Sequence, residues 1–183
     1  HCPTDPDLIM IDRTRPSATA HEASRVWTLR PSSGELTELR PRDEYPRQTH
    51  AAWTWDGEAV VYHGRSGKGG WYIGIIDRGG EVIQEYNFMD AEYYGHVTAM
   101  AGRPAIIVDG NVTNNMLLWL YYDETSPRFE VIGRHDTDWQ SMPYQYPHPH
   151  PLSDPTGRWI SFNAARRDKW VERSRSDVFV VSI

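Results

Sequence analysis

Residues 144–151 read YQYPHPHP, two imidazoles alternating with three prolines, with a glutamine just upstream. In an extended strand, amides two residues apart point to the same edge, so Pro147, Pro149 and Pro151 strip the donors from one edge only. His148 and His150 share the opposite parity and leave on one face, roughly 6.5 Å apart along the strand. The pattern predicts an unpaired edge strand that presents two imidazoles. Gln145 and, from a neighbouring unit, His96 complete a set of three imidazoles and one amide oxygen. That mixture suits a divalent ion of intermediate hardness, Mn²⁺ for example, better than a structural zinc. One short segment then supplies three ligands and a second unit one, which leaves coordination positions open, as a catalytic metal requires.

His50, in PRQTHAAWTWDG, lies one unit away from this set. Its spacing allows a fifth ligand, a core histidine or a base; an unperturbed imidazole titrates near neutral pH and suits proton acceptance beside a metal. Arg25, Arg47, Arg166 and Arg167 are candidates for clamping carboxylates. Asp109 follows an apolar run, AIIV, from which it could reach the site, whereas His21, His63 and His135 fall outside the register of the other histidines and read as non-catalytic.

What must position these groups is a repeated β unit. Trp, Tyr, Val and Ile fall in short runs separated by Gly, Pro, Asp and Ser, with no 3.6-residue stripe. The stretches PTDPDLIMI, TWDGEAVVY, AMAGRPAIIV and SDPTGRWISF each place a tight turn before an apolar strand, and RVWTLR, WYIGIID, LLWLYYD and DVFVVSI follow as further strands. A period of about 46 to 54 residues with four strands per unit predicts propeller blades rather than a sandwich, with blades near 1–45, 46–90, 91–135 and 136–183. Counting back from each turn puts His1, His50, His96 and His150 in one register. Equivalent positions on the innermost strands converge at the mouth of a central channel, and the unpaired inner edge of such a strand tolerates proline.

The bulk numbers set outer limits. The chain has 183 residues, 39% of them hydrophobic, a formal charge of −6 and no basic run, so neither nucleic acid nor membrane is an expected partner. The single Cys2 excludes an intrachain disulfide and a cysteine zinc site. Without a signal peptide the expected location is cytoplasmic. The abrupt start at HCPTDPDLIM, with no initiator Met, suggests the C-terminal part of a longer protein whose N-terminal blades lie elsewhere.

HCPTDPDLIM, THAAWTWDG, YYGHVTAM and above all QYPHPHPLSDPTGRWISF resemble the oligogalacturonate lyase family over essentially the whole chain. The resemblance implies a seven-bladed propeller, of which about four blades are present here. It also implies a Mn²⁺ site carried by His96, Gln145, His148 and His150, a catalytic base at His50, and a substrate of short acidic oligosaccharides such as di- or trigalacturonate. Arg25, Arg47 and His1 are the expected substrate contacts. The chemistry is consistent with the constellation: the C5 proton of a uronate is α to the C6 carboxylate, so a cation on that carboxylate and a nearby base favour β-elimination. A hydrolase would need a pair of carboxylic acids flanking the bond, and the channel-facing register holds none. The rival from another class is a non-catalytic propeller scaffold that binds proteins. Its blades would have no reason to repeat histidine at one register.

Overall fold

A computed structural model describes residues 1–11, 26–40, 47–65, 70–89, 95–110, 114–139, 148–167 and 174–183, apart from the side chains at 47–49, 166–167 and 174–175. Among these residues there is no helix. The strands form four antiparallel sheets in chain order. The first holds β1 (Ile9–Ile11), β2 (Trp27–Arg30) and β3 (Glu35–Glu38). The second is a four-stranded meander of β4 (Arg47–Trp53), β5 (Ala59–Arg65), β6 (Trp71–Asp77) and β7 (Val82–Phe88). The third repeats it with β8 (Val97–Ala99), β9 (Ala105–Val108), β10 (Met116–Tyr121) and β11 (Arg128–Arg134), and the fourth holds β12 (Leu152–Ser153), β13 (Trp159–Arg167) and β14 (Ser174–Ser182). The all-β, blade-like architecture expected from the repeat is the one observed.

The apolar runs are continuous because the middle strands are covered on both faces. Side chains alternate across a strand, so neighbouring residues of β5 enter different cores. Val60 and Tyr62 pack with Val26, Leu39, Tyr72 and Ile76 between the first and second sheets. Ala59 and Val61 join Ile73, Val97, Ile106 and Leu118 between the second and third. The same division sends Ile107 and Trp119 toward Ile160 and Phe162 of the fourth sheet. Four sheets stacked face to face through three apolar layers are what propeller blades require. Among the described residues none covers the outer face of the fourth sheet: Leu152, Trp159, Val178 and Val180 are exposed, the last two at 71% and 61%.

The turn after each first strand closes through one backbone bond, from Thr54 N to Ala59 O, Met100 N to Ala105 O and Asp154 N to Trp159 O. His50, His96 and His150 each stand four residues before the donor of that bond, so the shared register holds for these three. His1 departs from it. In the first unit the closing donor is Cys2, bonded to Leu8 O, which puts His1 immediately before the turn. The turn there is one residue longer, and counting from its prolines and aspartates misaligned it.

The extended reading of PHPHP also needs correction. Pairing in the fourth sheet starts at Leu152, and His150 has φ of 45°, in the left-handed region. A residue between two prolines is strongly biased away from that conformation, so it requires compensation from its surroundings. The His150 amide donates to Asp109 Oδ2 at 3.2 Å, a bond that a straight strand would not direct there.

Candidate functional site

His50, His96, His148 and His150 come together along the first strands of three successive sheets, His50 within β4 and the others in the segments that lead into β8 and β12. The ring centroids of His96 lie 3.9 Å from His150 and 4.5 Å from both His148 and His50. His148 and His150 are 5.7 Å apart, and His50 and His150 6.0 Å. For comparison, imidazoles bound at ~2.1 Å to one ion at right-angled or tetrahedral positions have centroids about 4.5 to 5.2 Å apart. The donor types therefore fit a divalent cation, and the rings are near neighbours. Among the described residues, however, no group of three or more His, Cys, Asp or Glu side chains is arranged to hold an ion as it stands.

A bulge adjoins the first of these rings. In the β4–β5 pair Gln48 faces Gly64 and His50 faces His63, so the register shifts by one residue between them. The shift lies beyond His50, which still pairs in the register set by the turn; His50 Nδ1 is 3.2 Å from His63 Nε2, with the two rings stacked at 5.3 Å. His63 also meets His96 edge-on at 6.0 Å. Its place in the cluster was missed because the register count followed only the first strand of each unit. Pairing residues outward from the WDG turn across the hairpin would have put His63 beside His50.

Asp109, at the end of β9, has no exposed surface. Its Oδ1 accepts the amide of His96 at 2.6 Å, and its Oδ2 accepts both the amide of His150 and the Nδ1 of His96, the latter at 2.9 Å. Gly95 makes the approach possible. A Cβ there would sit 2.4 Å from Asp109 Oδ1 and equally close to Gly110 O. The main-chain carbonyl of Asp109 is held in turn by His135, whose Nε2–H donates to it at 3.0 Å while its Nδ1 accepts the amide of Thr137. Burial holds the His135 pKa below its ordinary value, against the pull of the Asp109 carbonyl and charge. His148 is depressed first by burial and then by His96, and His150 likewise, although part of its surface faces solvent. Depressed values keep imidazole lone pairs available at neutral pH.

Gln145 and Arg25 lie outside the described residues. Arg47 opens β4, and Arg166 and Arg167 close β13, but nothing is described of their side chains. His1 is exposed, its Nδ1 lies 3.4 Å from Pro6 O, and none of the imidazole contacts described above includes it.

At the other end of the same first strands the sheets are tied together by Ser153. Its hydroxyl donates to Ala99 O at 3.2 Å and accepts Trp55 Nε1–H at 2.7 Å and the Ala101 amide at 3.3 Å. One buried oxygen thus links the second, third and fourth sheets and fixes the spacing of these first strands.

No family model and no curated protein sequence matches the chain. Among solved structures it is similar to one described as an oligogalacturonate lyase in complex with manganese, with a TM-score of 0.67 and 17% identity. The match covers the whole of this chain and 46% of the other, so the chain spans about half the length of that neighbour. At this identity the likeness is one of fold. No helix among the described residues is long and apolar enough to cross a membrane.

Proposed function

We propose that this chain carries the metal-binding and proton-accepting part of a lyase that cleaves short oligogalacturonides by β-elimination. The observation that supports it most is the convergence of four imidazoles from three successive sheets on one spot, with ring separations of 3.9 to 6.0 Å. In this reading His96, His148 and His150, with Gln145, hold Mn²⁺ or another divalent cation. Such a cation, when bound, supplies electrostatic stabilisation of the uronate carboxylate as negative charge develops at C5.

His50 is the base. To take a proton at Nε2 its own Nδ1–H must be the donor to His63 Nε2, a tautomer the 3.2 Å contact allows. Once His50 is charged, that hydrogen bond becomes charge-assisted and steadies the imidazolium. Removal of the C5 proton is followed by departure of the sugar linked at C4, leaving an unsaturated uronate and requiring no water. The exposed outer face of the fourth sheet would, in a longer propeller, be covered by further blades of the same protein.

The test is to add digalacturonate or trigalacturonate to the protein loaded with Mn²⁺ and follow the ultraviolet absorbance of the conjugated product. Rising absorbance that stops on chelation is the expected outcome. A protein that neither binds Mn²⁺ stoichiometrically nor forms the unsaturated product is not this lyase, and a scaffold role takes its place.

A further inference from the structure

We infer that Asp109 is a positioning residue that presents His96 and His150 to the cation in the required states. The inference rests on the metal-site part of the lyase reading, and nothing in it depends on the reaction.

Asp109 has two side-chain oxygens and receives three donors. The amides of His96 and His150 can only donate, and Oδ2, already accepting from His150, also faces His96 Nδ1 at 2.9 Å. A carboxylate oxygen has no proton to offer, so the proton in that contact belongs to the ring. When neutral, His96 is thereby the Nδ1–H tautomer, with its lone pair on Nε2, the one nitrogen then able to coordinate a cation. The other neutral tautomer would face Asp109 with a lone pair and turn an N–H toward the site.

The same carboxylate acts on a second ligand through the main chain. His150 sits at φ of 45° with proline on either side, and its amide is paired with Asp109 Oδ2. Asp109 thus sets the tautomer of a ligand from the third sheet and the backbone conformation of a ligand from the fourth. Its own position is secured from behind by the His135 Nε2–H on its carbonyl and by the absence of a Cβ at Gly95. A carboxylate placed only to fill a polar cavity would not need to meet two ligands from two sheets.

The first measurement uses the unmodified chain without metal, at a pH above the imidazole range. Nitrogen chemical shifts and proton couplings of the His96 ring should report a single Nδ1–H tautomer. In Asp109→Ala, with circular dichroism confirming the strands, the ring should relax to a tautomer mixture, and Mn²⁺ affinity measured by titration calorimetry should fall roughly 10- to 100-fold, the range for losing a ligand's supporting partner. Asp109→Asn should give an intermediate loss, because an amide can accept at only one of the two oxygen positions. An Nε2–H tautomer of His96 in the unmodified chain overturns the inference, even if the variants fail to fold. So does an Asp109→Ala protein that keeps both the tautomer and the affinity. Neither readout requires turnover, so the role of Asp109 is decided separately from lyase activity.

Discussion

His50 and the histidines proposed as ligands are of one residue type and lie at similar ring separations, so the proposed division into base and ligands rests on the partner each one has. His96 leans on a carboxylate and His50 on another imidazole. A ring backed by Asp109 is set to donate a lone pair to a cation, whereas His50 and His63 form a pair across which a proton can be shared. Two substitutions should therefore give opposite patterns. His148→Ala should abolish stoichiometric Mn²⁺ binding while the circular dichroism of the sheets is unchanged, since one of four proposed ligands is gone. His50→Ala should retain Mn²⁺ and lower turnover by roughly 10² to 10⁴, the range for losing a positioned general base. If the metal is lost with His50 and kept without His148, the roles assigned to the two are reversed.

At the scale of single elements, the strands owe their spacing to a few buried polar contacts. Ser153→Ala removes the oxygen that pairs with Trp55, Ala99 and Ala101, leaving buried donors unpaired, and should cost about 1 to 3 kcal/mol in denaturant unfolding. The segment after β11 brings in a pH dependence. Burial lowers the pKa of His135 in the fold from its ordinary 6.5, so between the two values the unfolded chain binds the extra proton. Its contribution to stability is complete above about 6.5 and is lost as pH falls toward the lowered folded value. His148 and His150 act in the same direction. The denaturation midpoint should therefore drop on acidification through this window, and His135→Gln should show a smaller drop than the unmodified protein. An equal drop in both would assign the acid sensitivity to the other histidines.

Across the described residues, three apolar layers join four sheets, and the outer face of the last sheet carries exposed residues of the same kind. Val178 and Val180 of β14 alternate outward with Ser182, next to Trp159 of β13 and Leu152 of β12. Contiguous exposed apolar surface of this kind binds apolar probes. A dye that fluoresces on such surfaces should bind this chain in its folded state, and Val178→Thr with Val180→Thr should reduce the signal without shifting the unfolding midpoint by more than a few tenths of a kcal/mol. Unchanged fluorescence would move the binding surface elsewhere, for instance to Met89 or Val131.

The blade pattern was legible in the amino-acid sequence because its causes are local: tight turns before apolar strands, and unbroken apolar runs wherever a strand is covered on both faces, as in AVVY and AIIV. The register of His50, His96 and His150 was legible for the same reason, since all three are counted from a turn of the same kind. Three features depended on the tertiary structure. His63 joins the cluster from the second strand of its hairpin, where the pairing of β4 with β5 sets it opposite His50. His1 leaves the register because it stands immediately before the donor that closes its turn and not four residues before it. Asp109 was visible only as a residue able to reach the site; its hold on His96 and His150 requires Gly95 to bring two segments of backbone into contact and His150 to adopt φ of 45°. Proline alternation specifies which donors are missing, but the direction a chain takes between two prolines is decided by the partner its remaining amide finds, and that partner lies 41 residues away.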